Sequence, residues 1–152
     1  IRDSADTGAI DGGDGVDTLS VWSPGVTIDL TGVTNLLNFE KIDMQDGDGA
    51  DTLILDHASL SHMIGDNSLD SILPLNPGRE KLAIAGDIGD VVNLAGTNLN
   101  DITGGIIGGG AFTSDFFESD YLGDGQMYIR ITDGSSLDLY VHANLVDDNP
   151  MG

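Results

Sequence analysis

The chain has 152 residues, enough for one domain that buries roughly 68–70% of its unfolded surface, and no apolar run approaches the roughly 18 residues of a membrane span. Five Lys and Arg stand against 26 Asp and Glu, and a formal net charge of −21 excludes nucleic acid and anionic membrane surfaces as partners, since both need clustered cations and these five are scattered along the sequence. The absence of Cys excludes disulfides and thiolate metal sites, so any bound metal is held by oxygen.

The acids are biased: 23 of the 26 are Asp, and Gly reaches 22 of 152 residues, about twice the usual share of roughly 7%. Solubility alone would be served by Glu, the better helix former, whereas Asp favours turns and short-armed metal coordination. The opening Ile1-Arg2-Asp3-Ser4 carries neither a start Met nor a signal-peptide core, as expected of a single module, 1–152, excised from a longer chain.

Along the chain, short apolar or alternating runs recur beside Gly/Asp clusters, the mark of many short strands. The runs predict strands over 18–22, 26–30, 39–44, 52–55, 81–85, 91–94, 127–132 and 137–142. Asp56 caps a short helix carrying Leu60, Met63 and Ile64, which Pro74 and Pro77 keep from continuing. From Gly96 to Gly125 the strand pattern lapses into glycine clusters and the aromatic, acidic stretch 112–121, read as a cap sealing the end of a strand stack or as a binding loop. Asp133-Gly134-Ser135-Ser136 then joins the last two runs as an antiparallel hairpin. The expected class is all-β, with short strands in a stacked or solenoid-like arrangement.

One motif carries chemistry. Gly12-Gly13-Asp14-Gly15-Val16-Asp17-Thr18-Leu19-Ser20 fits the calcium-binding nonapeptide G-G-x-G-x-D-x-U-x at every specified position. Asp46-Gly47-Asp48-Gly49-Ala50-Asp51-Thr52-Leu53-Ile54 departs only at its first Gly, and Ala85-Gly86-Asp87-Ile88-Gly89-Asp90-Val91-Val92-Asn93 keeps only the turn and the acid-then-apolar ending. Calcium takes six to eight oxygens at about 2.3–2.6 Å; a Gly-rich turn can aim several carbonyls at one point while a short Asp closes the shell. Asp17 and Asp51 head the candidate ligands, with Asp14, Asp46, Asp48, Asp87 and Asp90 beside them and Gly12, Gly13, Gly15, Gly47 and Gly49 shaping the turns. A complete site needs two turns side by side. If the interval from Asp17 to Asp51 measures one rung or a pair of rungs, those two turns face each other across one ion. An EF-hand is rejected, because its position six would be Asp51 rather than Gly and its position twelve His57 rather than Glu. Turn formation alone is the competing use of such Asp/Gly clusters.

The run from Asp11 through Leu19, then Val26-Thr27-Ile28-Asp29-Leu30, Asn38-Phe39-Glu40-Lys41-Ile42-Asp43-Met44 and Ala50-Asp51-Thr52-Leu53-Ile54-Leu55 resembles modules near the C-terminal end of large RTX-type adhesins of Gram-negative bacteria. Similarity continues through 81–94 and the closing hairpin, covering about two thirds of the chain. The resemblance implies a noncatalytic, calcium-stabilised extracellular module of a cell-surface or biofilm adhesin exported by a type I system, with calcium as its cofactor. Its implied partners are neighbouring modules and a surface glycan or protein. True RTX rolls carry their nonapeptides in direct succession, whereas here they are separated. The alternative is a calcium-binding accessory module of a secreted polysaccharide-acting enzyme.

Catalysis finds little support in the sequence. Among 26 acids some carboxylate pair arises by chance, no G-x-S-x-G elbow accompanies the Ser and His residues, and Gly104 to Gly110 lacks the Lys of a P-loop. His57 and His62, five apart, suit surface or turn roles better than a metal pair, and Trp22, Tyr121 and Tyr128 are the aromatics open to sugar contact.

Overall fold

A computed structural model describes residues 10–47, 51–64, 69, 78–102 and 105–146, with Phe116 described by its backbone alone. It is mostly β-sheet with one α-helix among these residues, and its sheets do not close into a barrel. The first six strands are β1 (Ile10–Asp11), β2 (Thr18–Ser20), β3 (Thr27–Asp29), β4 (Leu36–Leu37), β5 (Lys41–Asp43) and β6 (Thr52–Leu55). Strands β4, β5 and β6 lie parallel to β1, β2 and β3 in that order, so the chain runs the same circuit of three strand pairings twice. Helix α1 (His57–Met63) interrupts the third passage, after which β7 (Glu80–Ala85) adds to β5 and β8 (Val91–Leu94) to β6, again in parallel.

The sequence explains the circuit. In each strand the residue facing inward is a large aliphatic, and the register aligns them: Leu19 with Ile42 and Ile84 on one side, Ile28 with Leu53 and Val92 on another. All six are at most 5% exposed. Each such side chain contributes about 1.5–3 kcal/mol by leaving water, so the rows favour this register over a one-residue slip that would turn them outward. At α1, Asp56 caps as expected: its carboxylate accepts the Ser59 N–H while the Ser59 hydroxyl oxygen accepts the Asp56 N–H. Leu60, Met63 and the following Ile64 are buried in the same core. Pro74 and Pro77 lie outside the described residues.

The stretch from Gly96 to Gly125 is more regular than its sequence suggests. After β9 (Thr97–Asn98) and β10 (Ile106–Ile107), the stretch expected to lack strand pattern forms an eight-residue strand, β11 (Phe112–Ser119). It pairs antiparallel with β12 (Tyr128–Thr132), which hairpins to β13 (Leu137–His142), and β13 lies parallel to β7. The result is a seven-stranded sheet in the order β10-β11-β12-β13-β7-β5-β2, parallel in one half and antiparallel in the other. The strand is hidden in the sequence because its register shifts between Ser114 and Glu118, which breaks the period-two alternation. The hairpin at 133–136 forms as expected: Asp133 Oδ1 accepts the N–H groups of Ser135, Ser136 and Leu137.

Candidate functional site

The three motif copies occupy corners just before strands, but not the corners that the interval between Asp17 and Asp51 implied. Thr18 pairs with Lys41, and Thr27 with Thr52. Each of those steps is shorter than the step from Asp17 to Asp51, so one circuit does not carry the first acid onto the second. Asp17 and Asp51 precede strands of different sheets: β2 in the seven-stranded sheet and β6 in the four-stranded one. Among the described residues no hydrogen bond or strand pair joins the two turns. Asp17 stacks instead on Glu40, whose Oε2 accepts the Asp17 N–H at 2.9 Å, while the Asp17 carbonyl accepts the N–H groups of Glu40 and Lys41. Glu40 is fully buried and belongs to no motif copy in the sequence. The signal that could have found it is its place one residue before a strand, the place that Asp17, Asp51 and Asp90 also hold.

The side-by-side turns that a calcium site requires are those of the second and third copies. Thr52 pairs with Val91, so Asp51 and Asp90 occupy equivalent places on successive passages. Asp90 Oδ1 accepts the Asp51 N–H at 2.9 Å, Asp51 Oδ1 accepts the Val26 N–H at 2.8 Å, and Asp87 Oδ2 reaches across to the Gly47 N–H at 2.7 Å. Asp90 also accepts the Asp87 N–H through Oδ2 at 2.7 Å. Glu40, Asp51 and Asp90 thus play the same structural part. Each is a corner carboxylate that takes the backbone N–H of the preceding passage, where the sheet ladder has ended and no carbonyl is in line. Burial pushes the Asp90 carboxyl above its ordinary range; the two backbone donors oppose that, and the negative charges of Asp87 and Asp46 add to it.

Gly13, Gly15 and Gly47 have φ of 92°, 115° and 93°, conformations that side chains resist. Gly12 is constrained differently: a Cβ there would lie 2.2 Å from the Asn38 carbonyl oxygen and 2.7 Å from Asp17 Cβ. Asp14 and Asp46 are exposed, Asp17 and Asp87 half-buried, and Asp51 and Asp90 buried. Asp48 and Gly49 lie outside the described residues. Asp17 Oδ2 is buried and accepts no hydrogen bond among the described residues. Among the described residues no three carboxylate or imidazole groups are grouped to hold a metal by themselves.

A second constellation, invisible in the sequence, lies on the outer face of the seven-stranded sheet. Lys81 pairs with Asp138, and Asp138 takes both Arg79 Nε at 3.0 Å and Arg79 Nη2 at 2.8 Å, with Arg130 Nη2 at 3.6 Å. Arg79 and Arg130, far apart in the sequence, thus meet at one fully buried carboxylate. Burial alone would raise the Asp138 carboxyl; the bonds from Arg79 and Thr132 and the charges of Arg130 and Arg79 overcome it and hold it low.

The remaining candidates take structural places. His57 Nε2 lies 2.8 Å from Asp133 Oδ2, tying α1 to the hairpin, and His62 Nε2 contacts the Thr34 carbonyl at 2.6 Å. Tyr128 is buried, donates to Asp124 Oδ2 at 2.7 Å and stacks edge-on with His142; Tyr121 packs on Tyr140. Trp22, by contrast, is 73% exposed. Comparison with family models, curated proteins and solved structures finds no match to this chain.

Proposed function

We propose that the chain is a noncatalytic, calcium-stabilised extracellular module of a bacterial RTX-type adhesin, its circuits forming a short solenoid that the antiparallel strands close. The observation that carries this reading is the abutment of two motif turns, Gly47 N–H on Asp87 Oδ2 and Asp51 N–H on Asp90 Oδ1. Adjacent acidic turns concentrate negative charge on one edge, and a divalent ion relieves it. In support, the first copy holds a buried carboxylate oxygen, Asp17 Oδ2, without a hydrogen bond among the described residues, and a Gly12 cradle that a side chain would fill.

On this reading Asp17 and Glu40 hold calcium at the first corner, and Asp46 and Asp87 at the second, while Asp51 and Asp90 brace the backbone that presents carbonyls to it. Calcium supplies charge compensation and a clamp on the turns, with no chemistry beyond that. At free calcium tenfold above the dissociation constant, each site adds about 1.4 kcal/mol. Two or three sites then contribute roughly 3–4 kcal/mol, a large share of a total stability of about 5–15 kcal/mol. A module with these properties stays loose in calcium-poor cytosol and firms up outside the cell.

The test is a pair of thermal melts, one in excess chelator and one in millimolar calcium, with calorimetry on Asp17→Ala and Asp87→Ala. The midpoint rises by several degrees in calcium, and each variant loses affinity or stoichiometry. A midpoint that does not move refutes the reading.

A further inference from the structure

On the outer face of β12, Arg130 and Thr132 border two adjoining cavities of about 150 Å³ each. Thr113 and Asp115 of β11 line the first, and Arg79 the second. Both cavities border Arg130 and Thr132, one toward β11 and one toward Arg79, and together they are termed the groove. The Arg130 guanidinium makes no hydrogen bond among the described residues: its nearest carboxylate oxygen is Asp138 Oδ1 at 3.6 Å, and its Nε is buried without an acceptor. Arg79 directs Nε and Nη2 at Asp138, Asp133, Thr132 and the Leu137 carbonyl, which leaves Nη1 without a hydrogen bond among those residues.

Buried donors without acceptors are rare in folded proteins and call for an explanation. A guanidinium held in place by a neighbouring carboxylate, with its own donors unused, suits a planar two-oxygen acceptor. Asp115 supplies the opposite chemistry on the same groove: an exposed carboxylate, one oxygen of which takes the Phe117 N–H, that can accept hydroxyl protons. The chain as a whole repels anions at −21, but the cavities themselves are lined by Arg79 and Arg130 against the single carboxylate of Asp115.

We propose that this groove binds a uronic acid residue, its carboxylate on Arg130 and Arg79 and its ring hydroxyls on Asp115 and Thr113. The site goes beyond the calcium reading and does not depend on it, since no motif turn contributes to it. The experiment follows the Arg130 Nε–Hε signal in two-dimensional nitrogen–proton NMR of the folded chain. Free D-glucuronate, methyl β-D-glucuronoside, acetate, sulfate and D-glucose are added in separate titrations.

Both uronates shift that signal saturably, with dissociation constants in the millimolar range, and the glycoside binds at least as well as the free acid if the groove reads a residue within a glycan. Acetate and sulfate bind at least tenfold more weakly, and glucose leaves the signal in place. Arg130→Gln removes the reporter itself, so its titration is read on the backbone N–H signals of Thr113 and Thr132, and uronate affinity falls about ten- to a hundredfold, as loss of a charge-assisted pair does. Asp115→Asn, at an exposed position, removes the preference for uronate over acetate, and Trp22→Ala changes nothing. Failure of both uronates to shift the signal overturns the proposal, as does equal binding of acetate or sulfate, which would make the groove a bare anion contact. If Arg130→Gln loses its dispersed spectrum, the Asp115→Asn titration decides. The calcium melts stand apart: a midpoint indifferent to calcium with uronate still binding refutes only the calcium reading.

Discussion

Replacing Asp90 separates a carboxylate that braces the backbone from one that serves only as a metal ligand. Asp90 is fully buried and its two oxygens take two backbone donors, Asp51 N–H and Asp87 N–H. In Asp90→Ala both donors lose their acceptor, and each buried N–H left so costs about 1–3 kcal/mol. Removing the buried charge relieves its desolvation and its repulsion by Asp87 and Asp46, which offsets part of that loss. The net expectation is a loss of about 2–4 kcal/mol, or a midpoint lower by roughly 5–15 °C for a chain of this length. Asp90→Asn keeps one acceptor and turns a donor toward the other N–H, so it costs about 1–2 kcal/mol. Urea unfolding, analysed for midpoint and slope, measures both, first in excess chelator and then in calcium. The decisive arm is the chelator: a brace weakens the protein with or without the ion, whereas a pure ligand matters only when the ion is present. An Asp90→Ala chain within about 0.5 kcal/mol of the parent in chelator would refute the bracing role.

Three further outcomes follow from the same geometry. The Asp133 and Asp138 carboxyls are desolvated by burial, yet their hydrogen bonds and the nearby arginines hold both below the ordinary value near 3.9. A depressed folded-state value means stability that is present above about pH 4 and lost as pH falls toward the folded values, so the melting midpoint drops on acidification, and Arg79→Gln flattens that part of the profile. Burial pushes the Tyr140 phenol up to about 12, helped by the Asp138 charge, and raises Tyr128 as well, helped by its bond to Asp124. A raised folded value stabilises below about pH 10 and is lost above it, so absorbance at alkaline pH shows these two phenols ionising only as the chain unfolds. Gly12→Ala places a methyl group against the Asn38 carbonyl and Asp17, and costs about 1–3 kcal/mol by chemical denaturation; a neutral result would mean the first corner is looser than its contacts indicate.

Much of the parallel half is legible in the sequence because its information is local. The runs at 52–55, 91–94 and 137–142 match their strands to the residue, since each is a short apolar or alternating run ended by a turn, and the Asp56 cap is written in the few residues that follow it. Strand β11 is not legible, because its register shift destroys the alternation from which a strand is read. At the candidate metal turns, the glycines and aspartates are visible but their partners are not: the interval from Asp17 to Asp51 counts chain length, while stacking is set by the register of inward-facing Leu19, Ile42, Ile84, Leu53 and Val92.

By itself, the sequence determined that this protein is rich in short strands and tight turns, strongly anionic, and supplied with oxygen donors at those turns, because composition and nearest-neighbour chemistry dictate these properties wherever the chain goes. Only the tertiary structure decided which turns meet. It set Asp51 beside Asp90, and Asp17 beside Glu40, through the pairing of strands distant in the chain. It likewise brought Arg79 and Arg130 together at Asp138 on one sheet face, where the pairing of β12, β13 and β7 cancels a separation of about a third of the chain. Such encounters follow from backbone hydrogen bonding and burial of the aliphatic rows, which act over the whole folded chain and leave no trace in any local stretch of it.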